Sequence, residues 1–85
     1  MSWRLQPSVG DRTTYSRDLH ERFVAYVDVD TDWERDEPLS YTWSVQDGSC
    51  GRVLDRGWVD GDQGLATAQL AAEEAAARLF PGQSL

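Results

Sequence analysis

Residues 39–80 read LSYTWSVQDGSCGRVLDRGWVDGDQGLATAQLAAEEAAARLF, and the hydrophobic period changes twice along them. Tyr41, Trp43 and Val45 alternate with Thr42, Ser44 and Gln46, the period of two that marks a strand with one buried face. Asp47-Gly48-Ser49-Cys50-Gly51 interrupts that pattern with turn residues. A second extended run, Arg52 to Asp60, is rich in Val, Leu and Trp, so the two runs predict a hairpin. From Gln63 the chain turns to alanine and leucine without a glycine or proline after Gly64, which predicts a helix over 63–80 that Pro81-Gly82 stops. Asp62 stands where an N-cap would accept from the first free amides. Leu65, Ala68, Ala72, Ala75 or Ala76, and Leu79 form the apolar stripe of that helix, and Glu74 and Arg78 are spaced as an i,i+4 ion pair away from it.

Upstream, Phe23, Ala25, Val27 and Val29 share one face of an alternating run and Val24, Tyr26, Asp28 and Asp30 the other, which predicts a strand buried on its odd face. Thr31 to Pro38 reads as a charged eight-residue connector, and residues 1–20, which mix Trp3 and Leu5 with Pro7, Gly10 and paired threonines, as an irregular arm. The expected fold is one α+β domain over 1–85: a three-stranded antiparallel sheet within 21–60, with one alanine-rich helix packed across one face. Small helix residues let the helix axis approach the sheet, and Trp43, Tyr41 and Phe23 supply the bulk. Two registers fit the last strand. Val45 opposite Leu54 puts Tyr41 opposite Trp58 and Arg56 facing Trp43, and is preferred for the area it buries; a slip by one puts Val53 and Val59 inside together with Asp55.

Fifteen carboxylates against eight basic residues, all arginine, give a net charge of −7, which opposes general binding to phosphate backbones. The absence of Lys, Asn and Ile fits a high-GC genome, such as an actinobacterium or one of its phages or plasmids. No run approaches the roughly 20 apolar residues of a membrane span, and the polar start lacks a signal-peptide core, so a cytoplasmic protein is expected. The lone Cys50 forbids an internal disulfide.

The run Asp28, Asp30, Asp32, Glu34, Asp36, Glu37 begins with EF-hand spacing, yet Trp33 stands where the loop requires glycine and Leu39 where it requires a bidentate Glu. Asp60-Gly61-Asp62-Gln63-Gly64 is a weaker fragment of that pattern, and no metal site or cofactor is expected. His20 and Cys50 are each the sole residue of their type, which excludes a Cys/His zinc set and a histidine triad within one chain. Carboxylates abound, but a sheet with one face under one helix leaves little volume for the apolar cleft that raises a carboxyl pKa, so no enzymatic activity is expected. Trp33, flanked by Asp32 and Glu34, is hard to bury without desolvating them and has the character of an interface anchor.

The pattern Tyr41-x-Trp43-x-Val45-x-Asp47-Gly48, then Gly57 and the run Leu65 to Ala77, resembles small uncharacterised βββα proteins of actinobacteria and their phages over about half the chain, and its motifs are structural. The same order of elements resembles the arm-binding domains of some phage integrases, which implies DNA binding, although the basic sheet face those domains use is lacking here. The reading favoured by the residues is a non-enzymatic protein-interaction module, an accessory or inhibitory protein of a mobile element. It would present Asp28, Asp30, Asp32, Glu34, Asp36 and Glu37, with Trp33 as anchor, to a basic site on a larger protein. The alternatives are a nucleic-acid binder using Arg52, Arg56 and exposed aromatics, and a structural subunit of a larger assembly in which the chain forms a homo-oligomer.

Overall fold

A computed structural model describes residues 3–6, 13–19, 21–32 and 34–82. Five strands, β1 (Arg4–Leu5), β2 (Thr13–Asp18), β3 (Phe23–Asp32), β4 (Glu37–Asp47) and β5 (Arg52–Asp60), form one antiparallel sheet in chain order. A 3-10 turn, Gly61–Gln63, leads into helix α1 (Leu65–Leu79), which packs on β4, β3 and β5.

The expected three-stranded sheet is therefore corrected to five strands, and the three-strands-then-helix order behind the likeness to integrase arm domains is not the fold of this chain. The two added strands come from the supposed arm. Thr13, Tyr15 and Arg17 pair with Val29, Val27 and Ala25 on the helix side of the sheet. An arginine at an inward position disguises that alternation. It is tolerated because Glu73 of α1 accepts from the Arg17 Nη1 group and, through its other oxygen, from Trp3 Nε1 at 3.2 Å.

Ala25, Val27, Tyr41, Trp43 and Val45 of the sheet meet Ala68, Ala72, Ala75 and Ala76 of the helix in the core, joined by Leu19. Phe23 closes one end against Phe80, their ring centroids 4.5 Å apart. The helix contributes only methyl groups to the buried cluster, and Tyr41 and Trp43 are its large side chains from the sheet.

Neither expected register of β5 holds as stated. Tyr41 pairs with Val59, Trp43 with Gly57 and Val45 with Asp55, whereas Gln46 pairs with Val53, so Leu54 is the extra residue of a bulge. The bulge turns half-buried Leu54 toward the core, and Trp58 stands outside opposite Thr42, 66% exposed. Two contacts explain the choice. Asp55, on the helix side, has Arg78 Nη2 3.8 Å from its carboxylate, in place of the expected Glu74–Arg78 pair. A Cβ on Gly57 would lie 2.6–2.8 Å from three atoms of the Trp43 indole, so the ring occupies the space a side chain at 57 would fill.

The helix begins later than expected. Asp62 lies in the 3-10 turn, and the N-cap of α1 is Gly64, with φ 88° and ψ 160° and no side-chain cap. That conformation is essentially restricted to glycine.

Candidate functional site

The expected connector between β3 and β4 is instead a continuation of both strands. After a bulge at Asp30/Thr31, Thr31 pairs with Pro38 and Asp32 with Glu37. Local chemistry closes the turn: Asp32 Oδ1 accepts the Glu34 amide at 3.0 Å, the Asp36 amide donates to the Asp32 carbonyl at 2.8 Å, and Asp36 adopts φ 55°. Asp is among the residues that tolerate both an Asx turn and the left-handed region. Among the described residues β2 pairs with β3 as far as Val29, and β5 with β4 as far as Ser40. Among the described residues, Thr31 and Asp32 with Glu37 thus pair beyond both β2 and β5 as a short two-stranded ribbon, with Gly61 packed against Pro38 and Leu39 at its base. Beside Pro38 and Leu39 runs the 3-10 turn in place of β5: a Cβ on Gly61 would lie 2.0 Å from the Pro38 carbonyl oxygen, so the two backbones touch there.

The residues proposed for partner binding divide into three groups. Glu34, Asp36 and Glu37 are exposed at the ribbon tip beside half-buried Asp32, whose carboxylate lies 4.0 Å from the Nε of Arg35, the one cation of the turn. Asp30 is exposed on the sheet face away from α1, opposite Ser40, which is itself opposite Asp60. Asp28 belongs to the sheet rather than the tip: it is half-buried and accepts from Thr14 Oγ1 at 2.6 Å. Trp33 and His20 lie outside the described residues. The calcium spacing of Asp28, Asp30 and Asp32 falls on extended strand and not on a loop, so the three cannot converge as an EF-hand requires. Among the described residues no group of three or more His, Cys, Asp or Glu is placed to hold a metal ion.

Cross-strand rows on the outer face escaped the sequence reading. Asp28, Thr42 and Trp58 form one row, Tyr26, Ser44 and Arg56 the next, and Val24, Gln46 and Val53 a third. Ser40, Thr42, Arg56, Gly57 and Trp58 line a shallow depression of about 450 Å³ on this face. Its only sequence signal is the i,i+2 spacing of Arg56, Trp58 and Asp60, which places them on one side once the register is known.

At the opposite end of the sheet Asp47 joins two turns. Its Oδ1 accepts from the Ser49 hydroxyl at 2.7 Å and the Ser49 amide at 3.0 Å, and its Oδ2 from Arg22 Nε at 2.8 Å. The Ser49 hydroxyl and then Arg22 outweigh the partial burial of the group and push the Asp47 pKa down to about 2, while the bond and charge of Asp47 raise that of Arg22. Asp47 is a structural clasp, held ionised. Its signal was present in the sequence as Asp-Gly-Ser at a turn. Cys50 is exposed in the same turn.

No helix among the described residues is long and apolar enough to cross a membrane. No protein-family model matches the chain, and neither a curated protein nor a solved structure is found to be similar to it.

Proposed function

We propose that the chain is a non-enzymatic, cytoplasmic protein-interaction module that docks the acidic β3–β4 ribbon on a basic site of a larger protein, in an accessory or inhibitory role in a mobile element. One observation supports this reading: among the described residues the end of the β3–β4 ribbon extends past β2 and β5, with Glu34, Asp36 and Glu37 exposed on it. A projecting two-stranded finger can enter a concave surface that a flat sheet cannot. Its carboxylates steer encounter with a basic partner and disfavour wrong ones. The nucleic-acid alternative receives less support, because Arg56 and Trp58 share the outer face with Asp28, Asp30 and Asp60.

A photo-crosslinking residue at position 34, compared with one at exposed Leu70 on the helix, identifies the partner from a host lysate and the face that meets it. With that partner purified, the variant Asp30→Asn, Asp32→Asn, Glu34→Gln, Asp36→Asn should fold normally, since the side-chain oxygen that Asp32→Asn retains still accepts from the backbone amide of residue 34. Its association should slow by roughly one to three orders of magnitude, with most of the salt dependence gone. Crosslinks confined to position 70, or undiminished binding by the folded variant, would refute the assignment.

A further inference from the structure

Among the described residues β5 ends the sheet and pairs with β4 alone, leaving nine residues with one edge to which no described strand pairs. Such an edge is a template for another strand, and proteins commonly blunt it with bulges, prolines or inward charges. Here the bulge at Leu54 disrupts only the first part, and Asp55–Asp60 pairs regularly with β4. On the outer side of that regular part stand Arg56, Trp58 and Asp60, all exposed. Among the described residues neither the Arg56 guanidinium nor the Asp60 carboxylate has an ion-pair partner within its own chain.

We propose that two copies of the chain associate through this edge, β5 against β5 in antiparallel two-fold pairing centred on Trp58, to make one continuous ten-stranded sheet. The register follows from faces and charges. Antiparallel neighbours put directly opposed residues on the same side of the sheet, so a two-fold axis between strands of this length must pass through a residue pair. Centred on Arg56, the pairing apposes two arginines; centred on Gly57 or Val59, it sets Trp58 against Arg56 or Asp60 and forms no ion pair. Centred on Trp58, it places each Arg56 opposite the Asp60 of the other copy, twice by symmetry, with the two indoles between them. Opposite charges and paired aromatics at directly opposed positions are the favourable cross-strand combinations. The contact spans about five residues of each chain and falls below the size of a standard permanent interface, so the dimer is concentration-dependent. This inference stands apart from the acidic ribbon, which lies beyond Ser40.

Sedimentation velocity from about 5 to about 500 µM should show the 9.6 kDa monomer giving way to a species of twice that mass. Arg56→Asp and Asp60→Arg should each weaken self-association by about tenfold or more, because each sets like charges opposite one another at two positions. Mixed in equal amounts, the two variants should associate with each other, since one brings two carboxylates opposite the two guanidiniums of the other. Far-UV circular dichroism and melting of each variant alone separate a lost interface from a lost fold. A wild type that stays monomeric across the range would overturn the proposal. So would a dimer indifferent to both reversals, or singly weakened variants that fail to pair when mixed.

Discussion

Replacing Gly57 by alanine adds a single methyl group, yet that Cβ would sit 2.6 Å from Trp43 Cζ2, 2.7 Å from Cε2 and 2.8 Å from Nε1, where ordinary carbon contacts need about 3.5 Å or more. Trp43 cannot simply withdraw, because it is 9% exposed and belongs to the core cluster with Ala68, Ala72, Ala75 and Ala76 of α1. Forcing extra volume into a packed site costs about 1–3 kcal/mol. Alanine recovers part of this, about 0.4–1 kcal/mol, by restricting the unfolded chain more than glycine does. The net expectation is a loss of about 1–2 kcal/mol, or a melting point lower by roughly 5–15 °C for a domain of this size. Urea unfolding followed by tryptophan fluorescence measures it, and Trp43→Phe tests the cause. The smaller ring vacates space, so the double variant should be at least about 0.5 kcal/mol more stable than the sum of the two single losses predicts. A neutral or stabilising Gly57→Ala, or strictly additive losses, would show that the indole does not lie over Gly57.

Two further outcomes follow from the same contacts. Because the Asp47 pKa falls from 3.8 to about 2 on folding, the stabilisation from its clasp is complete above about pH 4 and lost as the pH drops toward 2; Asp47→Asn should therefore flatten the decline in urea midpoint between about pH 5 and pH 2.5, and an unchanged decline would count against the clasp. Gly64→Ala should cost about 1–3 kcal/mol because of the positive φ at that cap, while Asp62→Ala should cost less than about 0.5 kcal/mol; thermal melts that reverse this order would return the cap to Asp62.

The helix, the inward face of β3 and the β4–β5 hairpin were legible because each has a local apolar period with matching propensity. β2 was not, since its inward side consists of Thr13, Tyr15 and Arg17, and the charge on Arg17 is answered by Glu73, 56 residues away. No window along the chain contains both. The β5 register failed for a related reason: the bulge at Leu54 changes the parity of the strand, so the slipped register fits Asp55–Asp60 and the preferred one only Arg52 and Val53. The acidic run was visible as composition, but its division into a ribbon tip, a sheet-bound Asp28 and the Asp30–Ser40–Asp60 row depends on pairing across four strands.

Glu73 has a consequence for how the molecule comes apart. α1 rests on β3, β4 and β5, whereas the polar link from described residues of the first two strands and their flank to the helix is this one carboxylate, held by Arg17 and Trp3. Arg17 is 7% exposed, and its Nε has no partner among the described residues, so the junction is incompletely satisfied. Cooperative units of a fold separate where few apolar contacts cross between them. Among the described residues, Leu19 in the core and Trp3 and Tyr15 against it are the apolar contacts on that side, so β1 and β2 are expected to peel from β3 only by giving these up with the Glu73 link, and hydrogen exchange in which their amides exchange before those of β3 and β4 would show it. What persists in that opened state is β3, β4, β5 and the helix, the three-stranded unit whose periodicity is written most plainly in the chain.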